Sequence, residues 1–211
     1  LSKQTGVAFE QPALGELHRL VPKPKIATLD GSVEATLAWT GDRLPYRFTR
    51  VTSVSPGQIV MRYQVKNSGS APLPFLWAAN VALPLGDQTR LLLPDNARSR
   101  VISQEGIDLL GVGAEHRWPR FRTAKKLVDM SMPDSIGGRF ACHLSFELPT
   151  GSATVIEGAH RLELRFDATE VSRIGLNVRR RLGGNGLRLI SLQPAIGIPG
   201  ALASAAGVDG S

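Results

Sequence analysis

Strict alternation of apolar and polar residues is the feature that most constrains the fold of this 211-residue chain. The stretch 139–148 (RFACHLSFEL) has an apolar side chain at every second position from Phe140 to Leu148. Residues 160–166 repeat the pattern, and residues 44–54 and 58–66 flank a Ser-Pro-Gly turn signal. A period of two is typical of half-buried strands. The sequence therefore predicts two strands and a hairpin in these regions.

Shorter apolar runs fill much of the remaining chain and are separated by Gly, Pro, Asn or Asp. They lie at 33–40, 74–83, 89–93, 126–130, 173–178 and 186–192. No segment has the period of a long amphipathic helix. Because Pro and Gly are spread along the chain without a shift in composition, we expect one all-β sandwich domain over residues 1–211.

Composition excludes several classes of protein. Cys142 is the single cysteine, so an intrachain disulfide framework and a multi-cysteine zinc site are both ruled out. No run approaches the roughly 18 apolar residues of a membrane helix. The amino-terminal residues contain no hydrophobic signal segment, so we expect a cytoplasmic protein without a membrane partner. The four histidines do not have the spacing of a metal site and no cofactor motif occurs, so neither a metal nor a cofactor is expected.

The net charge of +7 comes largely from two clusters. One is the run Arg179-Arg180-Arg181, and the other is 116–126 (HRWPRFRTAKK), which interleaves cations with Trp118 and Phe121. Such interleaving suits a nucleic-acid strand or another polyanion. No known nucleic-acid-binding module matches the surrounding sequence. A basic polyanion-binding module is therefore an alternative hypothesis, and nucleic acid is not the favoured partner.

Three ordered blocks are more informative than any generic motif. The first, 63–94, joins a strand ending in Asn-Ser-Gly to the proline-bracketed LPFLWAA and a strand ending in Pro. The second joins 162–175 to 187–199, and the third is the early GELH at 15–18. Together they resemble the aldose 1-epimerase (galactose mutarotase-like) superfamily. The resemblance implies a β-supersandwich of antiparallel sheets with a sugar site on the concave face of the large sheet. Against the family pattern, the chain looks short at both ends.

The resemblance also indicates which residues would act on a sugar. Opening a hemiacetal ring requires a base for the anomeric hydroxyl and an acid for the ring oxygen. The family's general-acid His falls on Asn80 and its base Glu falls on Gln193. Neither amide titrates near neutral pH, although both can donate and accept hydrogen bonds. The resemblance thus implies an aldose 1-epimerase-like carbohydrate-binding protein whose mutarotase activity is impaired or lost.

Trp77 and His18 complete the sugar-binding set that the resemblance implies. The expected ligand is a small sugar or sugar derivative, and a positive patch beside the site would suit an anionic one. The sequence does not indicate which sugar binds or how many subunits assemble.

A further alternative is an active aldose epimerase or related sugar enzyme with relocated acid and base residues. The candidates are His116 and its neighbour Glu115, followed by Asp129 and His18. This hypothesis predicts that at least one of them lies within hydrogen-bond reach of Asn80 or Gln193. By contrast, His143 and His160 occupy polar positions of predicted strands, where surface or packing roles are expected.

Overall fold

The computed structural model describes residues 15–29, 31–182 and 186–197, and these are built almost wholly from antiparallel strands. The chain divides into two compact units, Leu1–Pro74 and Phe75–Ser211. The sequence predicts a single domain over residues 1–211, and this stays a prediction. Within the described residues there is no α-helix, and no helix has the length and apolar character needed to cross a bilayer.

The first unit contains a four-stranded antiparallel meander. A short 3-10 helix, Leu17–Arg19, precedes its strands, which are β1 (Lys23–Leu29), β2 (Ser32–Thr40), β3 (Tyr46–Ser55) and β4 (Gln58–Asn67). The predicted hairpin is confirmed, because Ser55 pairs with Gln58 and Gly57 adopts a positive φ of 72° in the turn. Trp39 packs edge-on against the buried Phe48, with the ring centroids 5.5 Å apart.

The second unit contains a nine-stranded and a three-stranded antiparallel sheet. Its elements are β5 (Trp77–Ala78), β6 (Val81–Pro84), β7 (Arg90–Leu92), β8 (Arg98–Glu105), β9 (Glu115–Arg117), β10 (Arg120–Arg122), β11 (Leu127–Asp129), a 3-10 helix (Pro133–Ile136), β12 (Phe140–Glu147), β13 (Ser152–Glu157), β14 (His160–Arg165), β15 (Arg173–Leu182) and β16 (Leu187–Ile196). The large sheet has the order β11-β10-β9-β8-β12-β15-β16-β5, and β6 also pairs with β16. The small sheet has the order β14-β13-β7.

Alternation along the central strands of the large sheet creates its two different faces. Leu144, Ile174 and Leu192 have at most 1% of their surface exposed, and they join Leu91 and Val155 of the small sheet in one core cluster. The two sheets of this unit thus form a sandwich, as the periodicity predicts. Side chains that point away from this core define the second face of the nine-stranded sheet, which we call the polar face.

Candidate functional site

Asn80 and Gln193 are neighbours on the polar face. Ala78 lies opposite Ala195, and Val81 lies opposite Leu192, so the same register places Asn80 opposite Gln193. Nε2 of Gln193 donates a hydrogen bond to Oδ1 of Asn80 over 3.4 Å. Asn80 is exposed and Gln193 is half-buried. The fold therefore joins two residues that are 113 positions apart in sequence into one amide pair.

A histidine approaches the same amide pair from the next strands. Gly175 on β15 lies opposite Gln193 on one side and Ser145 on the other. A Cβ atom at Gly175 would lie 2.9 Å from Oε1 of Gln193 and 3.0 Å from Nε2 of His143. Because glycine has no side chain, there is space above Gly175 for these two polar groups to approach each other. His143, Gln193 and Asn80 thus form one cluster, which we call the amide–histidine site.

The environment of His143 favours its neutral form. Burial lowers the pKa of His143 below the ordinary 6.5, and the nearby Gln193 side chain acts in the opposite direction. Within the described residues, the shielded Nε2 has no hydrogen-bond partner of good geometry, and the same holds for Oγ of Ser145. Leaving a buried polar atom unsatisfied costs about 1–3 kcal/mol.

Trp77 is not on the same face as the amide pair. It pairs with Ile196 on β16, one position away from the Ala78–Ala195 pair. Because successive side chains of a strand point to opposite faces, this register turns Trp77 away from Asn80 and Gln193. Trp77 is half-buried, and its expected role as a sugar platform is not supported by this placement.

The proposed substitute residues lie several strands from the amide pair. His116 and Glu115 are on β9, four strands from β16, which corresponds to about 19 Å at roughly 4.8 Å per strand. His116 is buried, its Nε2 lies 2.9 Å from the carbonyl oxygen of Leu109, and its ring stacks on Phe121. Asp129 lies on β11, farther still. The expectation that one of these three residues reaches Asn80 or Gln193 is not met.

The early element that resembles the family's motif lies in the first unit. His18 is exposed within the 3-10 helix, and its role in sugar binding stays a prediction. Its neighbour Glu16 is buried and accepts hydrogen bonds from the backbone N–H groups of Arg43 and Leu44. Burial and the Glu16 carboxylate raise the pKa of Tyr46 to about 12. Glu16 therefore organises a local turn of this unit.

The aromatic residues of the basic segment belong to the core. Trp118 and Phe121 are 4% and 0% exposed and pack against Phe146. The interpretation of these two rings as stacking platforms for a nucleic-acid strand is wrong, because Trp118 in the β9–β10 turn and Phe121 on β10 are both buried in the core. Their sequence neighbours Arg117 and Arg120 are exposed.

One arginine of the run Arg179-Arg180-Arg181 has a structural role. Arg180 is buried and its Nε donates to Oδ1 of Asp134 over 2.9 Å. Nη2 of Arg188 donates to the same oxygen over 2.9 Å and also contacts Asp87.

The described residues contain no group of three or more His, Cys, Asp or Glu side chains that could hold a metal ion.

Comparison with known proteins supports the fold assignment. No protein-family model and no curated protein matches the chain. The solved structure of the Slr1438 protein from Synechocystis sp. PCC 6803 matches with a TM-score of 0.66 at 13% identity, covering 92% of this chain and 62% of that one. The structure of a protein assigned as an aldose 1-epimerase from Escherichia coli K12 matches with a TM-score of 0.53 at 13% identity, covering 82% and 57%.

The chain has an aldose 1-epimerase-type fold. It spans about three fifths of the length of both solved structures. At 13% identity the similarity concerns the fold and not the activity. The all-β supersandwich expected from the sequence is confirmed at this level.

Proposed function

We propose that the chain binds a carbohydrate at the amide–histidine site and does not interconvert anomers by the acid–base route of aldose 1-epimerases. The observation that carries the proposal is the Asn80–Gln193 hydrogen bond of 3.4 Å. These are the two positions to which the resemblance assigns the general acid and the base. Their adjacency on the polar face supports a shared ligand site.

The chemistry of two amides suits sugar hydroxyls. Each amide offers a carbonyl oxygen and an NH₂ group. The pair can therefore donate hydrogen bonds to, and accept them from, the hydroxyl groups of one sugar ring. The single hydrogen bond between Asn80 and Gln193 leaves further donors and acceptors on both side chains. The imidazole of His143 lies beside Gln193, with its Nε2 shielded from solvent.

The same chemistry prevents proton transfer by the pair. Ring opening needs one group that removes a proton and another that supplies one. Neither Asn80 nor Gln193 changes protonation state near neutral pH. A sugar held between them is therefore bound, and its anomers interconvert only at the spontaneous rate.

Ligand-observed NMR and anomer-exchange NMR with glucose and galactose test the proposal. We expect saturation transfer from the unmodified protein to one of these sugars, and interconversion of its anomers at the spontaneous rate. The double variant Asn80→Ala/Gln193→Ala should bind this sugar at least ten-fold more weakly. Asn80→His/Gln193→Glu places the family's acid and base at the paired positions, and we expect it to accelerate interconversion. Any acceleration of interconversion by the unmodified protein would contradict the proposal.

A second candidate function is an active sugar epimerase with relocated acid and base residues. The observation that favours it is the position of His143, a titratable residue whose Nε2 lies beside the Gln193 side chain over Gly175. The lowered pKa keeps the imidazole neutral and able to accept a proton. Under this alternative, the unmodified protein accelerates anomer exchange and His143→Gln abolishes the acceleration. Under the first proposal, His143→Gln changes affinity only.

A further inference from the structure

Three arginines stand side by side on the polar face. Arg98 on β8 pairs with Arg117 on β9, and Arg117 pairs with Arg120 on β10. All three side chains are exposed. Directly opposite residues of an antiparallel pair lie on one face with Cβ atoms about 4.5–5.5 Å apart. We call these three residues the arginine ladder.

The carboxylates next to the ladder form no ion pair with its arginines. Within the described residues, Arg98, Arg117 and Arg120 have no carboxylate within ion-pair distance. Glu147, opposite Arg98, forms its ion pair with Arg173 over 2.6 Å. Asp129, opposite Arg120, accepts hydrogen bonds from the backbone N–H and the hydroxyl of Ser131. Like charges at directly opposite positions destabilise a sheet. An anion bound along the ladder would relieve this repulsion.

The ladder and the amide–histidine site lie on the same face of one sheet. Gln193, Gly175, Ser145 and Arg100 follow each other on adjacent strands at directly paired positions. Arg98 lies two residues from Arg100 on β8, so its side chain points to the same face. At about 4.8 Å per strand, the ladder begins about 14 Å from Gln193 and ends about 24 Å from it. A single monosaccharide cannot span this separation.

We propose that the polar face binds an extended anionic oligosaccharide. This inference rests on the proposed function, because the sugar at one end of the chain occupies the amide–histidine site. The acidic groups of the following sugars, carboxylates or sulfates, pair with the guanidinium groups of the ladder. Planar guanidinium groups bind such oxyanions through two parallel hydrogen bonds.

A shallow depression beside the ladder has room for one small substituent. An open depression of ≈ 230 Å³ is lined by Arg98 and Arg117 together with Asp95, Asn96, Ala97, Glu147 and Pro149. Ligand pockets that enclose a whole drug-sized molecule have volumes of roughly 300–1,000 Å³. The depression therefore suits one substituent of a longer chain. Two carboxylates line it: Glu147, which is engaged by Arg173, and the exposed Asp95. Arg117 keeps free donors beside its bond to the Asn96 carbonyl oxygen.

An oligosaccharide fits this surface better than a nucleic acid. Single-stranded nucleic acids bind through aromatic side chains on which the bases stack, in addition to cations. The two aromatic residues of the basic segment, Trp118 and Phe121, are in the core and offer no such platform. The polar face supplies positive charges and amides, which match the acidic and hydroxyl groups of an acidic sugar chain.

Titration calorimetry with an oligogalacturonate and its neutral, methyl-esterified counterpart tests the inference. The ladder variant is Arg98→Gln/Arg120→Gln, which leaves the Arg117–Asn96 bond intact. The matched control is Arg161→Gln/Arg165→Gln, which removes the same charge from exposed arginines on β14 of the small sheet. We expect the unmodified protein to bind the anionic chain at least ten-fold more tightly than the neutral one. The ladder variant should lose this preference, and the control should keep it.

Further measurements separate the competing explanations. Galacturonate monomer should bind with an affinity that the ladder variant does not change, because it cannot reach the ladder. Equal affinity of the unmodified protein for charged and neutral chains overturns this inference alone. Failure of both neutral and charged sugars to bind overturns the proposed function as well. Tighter, ladder-dependent binding of single-stranded DNA than of oligogalacturonate would identify the partner as nucleic acid and also overturn the inference.

Discussion

Gln193 donates a hydrogen bond to Asn80 across the boundary between β16 and the β5–β6 segment, over 3.4 Å. Its other amide atom, Oε1, faces His143 across Gly175. One side chain therefore connects a non-titrating partner on one side with a titrating partner on the other. The pKa of His143 should therefore respond to changes at residue 193, and it can be measured without any ligand.

The titration of His143 should depend on residue 193. Burial lowers the pKa of His143, and the Gln193 side chain favours the charged form. We therefore expect Gln193→Leu to lower the pKa of His143 further. Gln193→Glu should raise it, because a nearby negative charge stabilises the imidazolium. Histidine ring-proton NMR titrations measure both shifts. Identical titration curves for the two variants would show that residue 193 does not contact the imidazole.

The lowered pKa of His143 also predicts how stability varies with pH. Between pH 6.5 and the lower pKa of the folded state, the unfolded chain binds more protons at this residue than the folded chain does. The free energy of unfolding should therefore fall as the pH drops through this window. His143→Gln removes this contribution, so its urea-unfolding midpoints should depend less on pH between 7 and 5. An unchanged slope would contradict the burial of the imidazole.

Gly175 should be a sensitive position for binding and an insensitive one for stability. A Cβ atom there would lie 2.9 Å from Oε1 and 3.2 Å from Cβ of Gln193. The amide end can swing away at little cost, but it then leaves its place beside His143. We expect Gly175→Ala to weaken sugar binding about ten-fold while changing the free energy of unfolding by less than about 1 kcal/mol. Calorimetry and urea unfolding distinguish this outcome from a general loss of structure.

Strands with strict alternation could be predicted from the sequence, and others could not. β12, β14 and the β3–β4 hairpin are confirmed close to their predicted bounds. β13 was not predicted, because its buried residues Ala153, Thr154 and Val155 are consecutive and show no period of two. β8 was not predicted either, since a polar residue, Ser99, occupies one of its buried positions. Pattern alone does not distinguish such segments from loops.

The candidate site was only partly accessible from the sequence. Asn80 and Gln193 could be placed through the resemblance, because the blocks that contain them have recognisable neighbours. His143 was expected to be a surface or packing residue. Its proximity to Gln193 depends on the register of three strands and on the missing side chain of Gly175. Such non-local pairing leaves no signal in the local sequence around residue 143. For the same reason, the arginine ladder emerges only once β8, β9 and β10 are paired.

Asp134 should matter for stability, because it is the common acceptor for two arginines. Its Oδ1 atom receives hydrogen bonds from Arg180, which is buried, and from Arg188, both over 2.9 Å. Asp134→Asn leaves Arg180 without its counter-charge, and we expect a loss of about 2 kcal/mol in the free energy of unfolding. Asp95→Asn, at an exposed position, is the matched control and should change the free energy little. Equal midpoints for the two variants in urea unfolding would show that the buried arginine does not depend on this carboxylate.

Arg117 should destabilise the free protein, because it stands between Arg98 and Arg120 on adjacent strands. Arg117→Glu replaces two like-charge contacts with two opposite-charge contacts, each worth roughly 0.2–1 kcal/mol. It loses one exposed hydrogen bond to the Asn96 carbonyl oxygen, so the net gain in the free energy of unfolding should be about 1 kcal/mol at low salt. High salt should remove the gain by screening. Arg165→Glu is a control that should change stability in the opposite direction. It places a second carboxylate beside Glu163 and should therefore lower the thermal midpoint. A lower midpoint for Arg117→Glu at low salt would show that the guanidinium groups of the ladder do not repel one another, and the electrostatic argument for a bound anion would then fail.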